Sequence, residues 1–463
     1  MMKSLKLLSL AVAATALAFV SPVSPLHAAP AEVRGTWLTT TANDAISSPA
    51  KSEETMKTLR DMGMNVVYIE CWKNGYTEFP SEVMNKLIGV PMKINNTPIE
   101  LQRDLLLETV NQAHRNQLLA IAWFEYGFMA SFKDTQNELR ALAREKGWLT
   151  LTKEGAEVAK SNPFVWLNPL HPDAQQLIID LVVEAVQKYD LDGIQLDDRI
   201  AMPVEMGYDD FTRKLYASEH NGQQPPDDFK DPAWIQWRAD KISEYSLRFV
   251  KAVRAANPDL IISVSPAPYP WSLENYACDW IAWTKWSDRD GSMWDEYVPQ
   301  TYRMNFEATK RSIDEQISHI GEKRSELIAG IRIVGDGPDK PIDDLLKSIE
   351  HTRETKIGGH VLWFSRGVLE VYPKELKAFY DVAKNGQAPH PFKPGDWRPA
   401  PIVATRDGDA FVVSIKDQRR YKVLAQVNGV WIQRLTQDFA PGDHRFTEGP
   451  ETTAVEVLVD RRP

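Results

Sequence analysis

The chain has 463 residues, 43% of them hydrophobic, which is enough for one large domain and a small one. Its formal net charge of −10 excludes an extended nucleic-acid footprint, because that needs a basic face. Its 15 tryptophans suit two uses, filling a core or stacking on the faces of sugar rings.

Residues 1–29 read as a signal peptide. Lys3 and Lys6 form its positive end, 7–20 its apolar stretch and Leu26-His27-Ala28 its cleavage site. The apolar run is too short and Ala-rich for a membrane span, so no stable membrane insertion is expected. The mature chain is expected in the periplasm or outside the cell.

From residue 34, eight short β-rich runs follow, at 34–40, 66–72, 119–127, 193–198, 260–266, 297–302, 327–334 and 359–364. Helical patterns separate them at 53–62, 101–116, 173–189, 233–257, 306–322, 342–356 and 373–384. In 173–189, for example, Leu177, Ile178, Leu181, Val182, Ala185 and Val186 recur at helical spacing. Eight strand–helix repeats predict an α/β fold, a (β/α)8 TIM barrel over 30–384. Three long loops, 73–100, 128–167 and 199–232, each follow a strand and so belong on the catalytic face. Residues 385–401, with five prolines, read as a linker. Residues 402–463 alternate apolar and polar with a period of two, as in a small all-β, sandwich-like and fibronectin-III-like domain. Cys71 and Cys278 fall on distant predicted elements and read as two buried free thiols rather than a disulfide.

Carboxylates close three consecutive strands: Glu70 the second, Glu125 the third, Asp197 and Asp198 the fourth. Glycosidic hydrolysis needs two carboxyl groups, one protonated to donate and one ionised. A tight acid cluster separates pKa values, because like charges resist ionising together. Strand alternation predicts that Asp197 and Asp198 point apart, one into the pocket and one to a support such as Arg199. Arg34 and Trp37 on strand one, residues 266–271 after strand five, Gln300 and Tyr302 on strand six and Trp363 on strand eight would stack on or hydrogen-bond a sugar. The Asp-rich turn at 288–292 lacks the remaining ligand positions of a calcium loop. No metal motif, nucleophilic serine elbow or phosphate loop occurs, so no metal and no cofactor are expected.

Six segments together resemble the glycoside-hydrolase-like 10 family of exported bacterial proteins. They are Arg34-Gly35-Thr36-Trp37-Leu38-Thr39, Trp123-Phe124-Glu125-Tyr126-Gly127-Phe128, Trp166-Leu167-Asn168-Pro169-Leu170-His171-Pro172, Tyr189-Asp190-Leu191-Asp192-Gly193-Ile194-Gln195-Leu196-Asp197-Asp198, Trp237-Arg238-Ala239-Asp240-Lys241-Ile242 and Val298-Pro299-Gln300-Thr301-Tyr302. The resemblance implies a β/α barrel acting on carbohydrate, with some relatives cleaving peptidoglycan glycan strands. Asp197 also resembles the nucleophile position of larger retaining glycosidase barrels, where it closes a Gly-x-x-x-Asp strand. The family resemblance places Asn168, His171 and Arg199 among the substrate-side residues, Arg199 standing where many relatives have an aromatic residue or His. Strand five lacks the terminal Glu that larger retaining barrels use as acid, so Glu125 is the better candidate, with Glu70 as substitute.

The expected function is an exported glycoside hydrolase acting on a polysaccharide, with Asp197 as nucleophile or base, Glu125 as acid and Asp198 as orienting partner. Glu70, Trp37, Arg34, Asn168, His171, Arg199, Gln300, Tyr302 and Trp363 are expected on the substrate side. A carbohydrate-binding or cell-wall scaffold on a barrel without catalysis is the alternative. A metal-dependent hydrolase using the Asp pair stands third.

Overall fold

The computed structural model describes residues 29–94, 97, 102–288 and 291–463. The predicted signal peptide lies outside these residues except for Ala29, as do the start of the 101–116 helix and part of the 288–292 turn.

Eight parallel strands form one sheet: β1 (Val33–Leu38), β2 (Val66–Glu70), β3 (Leu119–Phe124), β4 (Gly193–Asp197), β5 (Ile261–Ser265), β6 (Glu296–Tyr297), β7 (Ile328–Arg332) and β8 (Gly359–Trp363). Their order is β6-β5-β4-β3-β2-β1-β8-β7. Parallel bridges Tyr297–Leu327 and Gln300–Gly330 bring the two ends together, so the sheet closes nearly completely into a TIM barrel. Strand six is shorter than its apolar run predicts, because the chain leaves the ladder after Tyr297 and touches β7 again only at Gln300.

The helices α1 (Pro49–Met62), α2 (Leu105–Arg115), α3 (Pro172–Lys188) and α4 (Pro232–Ala256) follow the predicted periodicity. Each has a side-chain N-cap, from Ser48, Asp104, His171 and Asp231 respectively. After β5 come only two short helices, α5 (Trp271–Tyr276) and α6 (Trp280–Trp283). Three longer ones complete the ring: α7 (Phe306–Ile320), α8 (Ile342–Glu354) and α9 (Pro373–Tyr380). Among the described residues, the first long loop carries a hairpin of Trp72–Lys73 and Tyr76–Thr77 and the second one of Met129–Phe132 and Phe164–Trp166. Cys71 and Cys278 are buried and unpaired.

Seven C-terminal strands make two small antiparallel sheets: β9 (Ile402–Val403), β10 (Thr405–Asp407), β11 (Ala410–Ile415), β12 (Arg419–Val427), β13 (Val430–Phe439), β14 (Gly442–Thr447) and β15 (Thr452–Val459). They share a core that includes Phe411, Tyr421, Val423, Phe439 and Val457. The proline-rich stretch before them packs on the N-terminal end of the barrel: the Trp397 indole donates to Asp192 at 2.7 Å, and Arg398 pairs with Asp190 and Asp192 at 2.9 and 2.8 Å. Lys422 of β12 joins the same charges, 3.0 Å from Asp190. Burial opposes the charge on both aspartates, yet Arg398 holds their carboxyls below the usual range.

Candidate functional site

The acids meet at the C-terminal mouth of the barrel, and two glycines allow it. A Cβ at Gly193 would stand 2.5 Å from the Ile261 carbonyl oxygen, so only glycine lets β4 approach β5 this closely. The strands then run in register to Asp197 opposite Ser265. Gly127, at φ +45°, turns the chain after Glu125 so that a Cβ there would meet the Arg199 carbonyl at 2.7 Å. The Phe128 amide donates to that carbonyl at 3.1 Å, which seats the Glu125 turn on the Asp198–Arg199 segment.

Asp197 is buried and receives three N–H groups and an ion pair. Gln300 Nε2 donates to Oδ1 at 2.6 Å and the Asp198 amide to the same oxygen at 2.7 Å. Trp123 Nε1 donates to Oδ2 at 2.9 Å, and Arg199 lies 3.1 Å from that oxygen. Asp198 pairs with the same Arg199 nitrogen at 2.6 Å, so the two carboxylates converge on one guanidinium instead of pointing apart as strand alternation predicts, because Asp198 lies past the end of β4. Burial pushes the Asp197 carboxyl well up; Arg199 opposes this, while the charges of Asp198 and Glu125 add to it.

Glu70 and Glu125 share Lys73, whose Nζ is 2.7 Å from Glu70 and 3.2 Å from Glu125. Glu70 also accepts from the Thr39 hydroxyl at 2.7 Å, the Thr40 amide at 3.1 Å and the Thr40 hydroxyl. Burial works against its charge, but Lys73 and these donors hold its carboxyl below the ordinary value. Glu125 has fewer donors: burial pushes it up to about 7, with the Glu70 charge adding and Lys73 opposing. Lys73 is itself buried, and the flanking glutamates keep it charged. Glu78 completes the group, its Oε1 lying 2.8 Å from the Thr40 hydroxyl. That hydroxyl carries one proton, already directed at Glu70, so Glu78 must supply the proton of its own contact. Burial and the Glu70 charge push Glu78 well up, which agrees with a protonated acid.

Four expected acids are therefore brought together: Glu70 and Glu125 through Lys73, Asp197 and Asp198 through Arg199. Gln300 touches Asp197, and Tyr302 packs on Trp363 with ring centroids 5.7 Å apart. Trp37 is in the barrel, but as a buried floor: its indole donates to Gln195 at 2.7 Å and it packs on Tyr68, Trp123, Tyr302 and Trp363. It offers no open face to a sugar, because the barrel interior closes around it.

Three expected substrate residues are not brought to the cluster. Arg34 sits at the N-terminal end of β1, 2.6 Å from Glu32 and with its guanidinium over the Tyr380 ring, since a residue at a strand start faces the opposite end of the barrel. Asn168 is buried and staples a loop by donating to Asp209 at 3.0 Å and Thr212 at 2.8 Å. His171 caps α3 through the Asp173 amide and packs on Phe211. Thr39, Thr40, Lys73, Glu78 and Trp123 were not legible as site residues. Lys73 carried one signal: it stands three residues after Glu70, just beyond the strand end.

The model of the family described as Glycosyl hydrolase-like 10 matches residues 32–334. The glycosyl hydrolase DigH of Escherichia coli K12 is 23% identical over 213 residues, 45% of this chain and 45% of the relative. The chain thus aligns with less than half of that relative's length. Among solved structures, the glycoside hydrolase domain of PgaB (BpsB) from Bordetella bronchiseptica is similar with a TM-score of 0.54 at 14% identity, over 76% of this chain and 99% of that one. An alpha-L-fucosidase, isoenzyme 2, from Paenibacillus thiaminolyticus gives 0.51 at 17% identity, over 76% and 49%. These likenesses show the barrel fold, and the family match supports a glycosidase-type function.

Proposed function

We propose, from the fact that the chain belongs to the glycosyl hydrolase-like 10 family, that it is an exported enzyme cleaving O-glycosidic bonds of a polysaccharide by a two-carboxylate mechanism. One observation carries the reading: Glu125, with its carboxyl near 7, stands at the same barrel mouth as the Asp197–Asp198 pair held by Arg199. Glu125 is the general acid, protonated near neutral pH and donating to the leaving oxygen. Asp197 acts as nucleophile or base in the ionised form that Trp123, Gln300 and Arg199 favour against burial. Asp198 shares Arg199 with it and keeps that cation in place. A second assignment exchanges the aspartates, because the Asp198 side chain is 27% exposed and that of Asp197 only 3%.

Peptidoglycan glycan strands are the first substrate to test, on the resemblance to relatives that cut them. Purified strands and neutral polysaccharides are incubated with wild type, Glu125→Gln, Asp197→Asn and Asp198→Asn, and new reducing ends are counted. Glu125→Gln and one of the two Asn variants abolish cleavage, and that Asn variant identifies the ionised partner. Full activity in all three would sink the assignment. Binding without cleavage by the wild type would instead support the carbohydrate-binding scaffold. Export rests on the positive-then-apolar start of the sequence, and a processed N-terminus near Ala29 in protein recovered outside the cytoplasm tests it.

A further inference from the structure

Of the 15 tryptophans, Trp271 alone is exposed, at 49%, although Trp280, Trp283 and Trp294 in the same stretch are fully buried. Among the described residues, the barrel leaves three large apolar side chains exposed: Phe132, Trp271 and Met304. They follow β3, β5 and β6 respectively, so all three stand on the face that carries the acids. Exposed apolar groups confined to one functional face mark a surface that something covers.

Trp271 begins α5 and packs on Tyr276 with ring centroids 5.2 Å apart. Tyr276 is fixed on the acid site from several sides. Asn162 donates to its hydroxyl at 2.7 Å, and the Met202 amide donates to its carbonyl at 2.9 Å. Met202 lies four residues past Asp198, in the loop that begins with the Asp197–Arg199 ion pair. The Asp198 and Arg199 charges reach the Tyr276 hydroxyl. Trp271 thus packs on a tyrosine that is hydrogen-bonded to the loop leading away from Asp198, on the loop after the neighbouring strand.

We propose that Trp271, backed by Tyr276, is an outlying subsite that stacks on one pyranose ring of a polymeric glycan. The occupant follows from chemistry: a sugar ring offers an apolar C–H face to an indole and keeps its hydroxyls in the water around it. Trp37 and Trp123 are closed inside the barrel and Trp363 is half-buried against Tyr302, so Trp271 is the exposed indole on this face. The subsite rests on the reading of this face as a glycan site, and it makes the enzyme favour long chains over short fragments.

The test separates binding from cleavage. Wild type, Trp271→Ala and Trp271→Tyr are run in native gels cast with peptide-free peptidoglycan strands or with a soluble neutral polysaccharide. Reducing-end release from long strands and short fragments is measured in parallel. Trp271→Ala weakens retardation about tenfold and lowers the ratio of long-strand to short-fragment kcat/KM by a similar factor, while Trp271→Tyr restores most of both. Equal retardation of wild type and Trp271→Ala overturns the subsite, as does the absence of retardation of the wild type in every glycan. If the wild type is retarded through Trp271 and releases no reducing ends, the subsite stands and the hydrolase proposal fails.

Discussion

The Trp123 indole nitrogen donates to Asp197 Oδ2 at 2.9 Å, from the strand next to the one that Asp197 ends. The bond orients the carboxylate and favours its ionised form, against the upward push of burial. Trp123→Phe keeps the ring and removes only the donor. Because hydrogen bonds to charged groups are the stronger kind, glycan cleavage falls on the order of tenfold or more. The acidic limb of the pH–rate profile moves to higher pH, since an ionised partner works only above its pKa. An acidic limb that does not move separates Asp197 from that role.

Glu70 raises Glu125 by its negative charge, and Lys73 lowers it. In Glu70→Gln the charge is gone and Lys73 turns wholly to Glu125, so the Glu125 carboxyl falls below 7. A general acid works below its pKa, so the basic limb of the kcat/KM profile moves to lower pH in this variant. A basic limb unchanged from wild type would mean that another group supplies the proton.

Glu296 is a buried acid at the other end of the barrel interior, accepting from the Tyr68 hydroxyl at 2.9 Å, and burial pushes it up to about 7. Its folded pKa lies above its unfolded one, so its stabilisation is complete below the unfolded value and is lost as pH rises through 7. Glu296→Gln removes this dependence. Urea unfolding at pH 5 and pH 8 gives a smaller stability difference in the variant than in the wild type, by about 3 kcal/mol at most. Equal differences in the two proteins would count against a protonated Glu296.

Arg398 neutralises Asp190 and Asp192 between the barrel and the C-terminal strands. Arg398→Met leaves two buried carboxylates short of a partner, with Lys422 and His114 remaining. Stability falls by about 3–5 kcal/mol, as a lower denaturation midpoint. A midpoint within experimental error of wild type would show that the remaining partners suffice.

The sequence by itself determined the alternation of eight strands and their helices, because burial on both faces of a strand and one face of a helix writes a local period into the chain. It also determined that acids end β2, β3 and β4, but not that Asp197 and Asp198 converge on Arg199, because Asp198 lies past the end of β4, where strand alternation no longer holds. What only the tertiary structure decided is what each side chain meets. Arg34 and Trp37 are three residues apart, yet one faces an ion pair at the barrel's foot and the other its aromatic floor. Lys73 and Thr40 become site residues only because the first two strand ends lie side by side. The exposure of Trp271 among 15 tryptophans has no local period at all. Burial and electrostatics sum over neighbours distant in the chain, so they appear only once the barrel has closed.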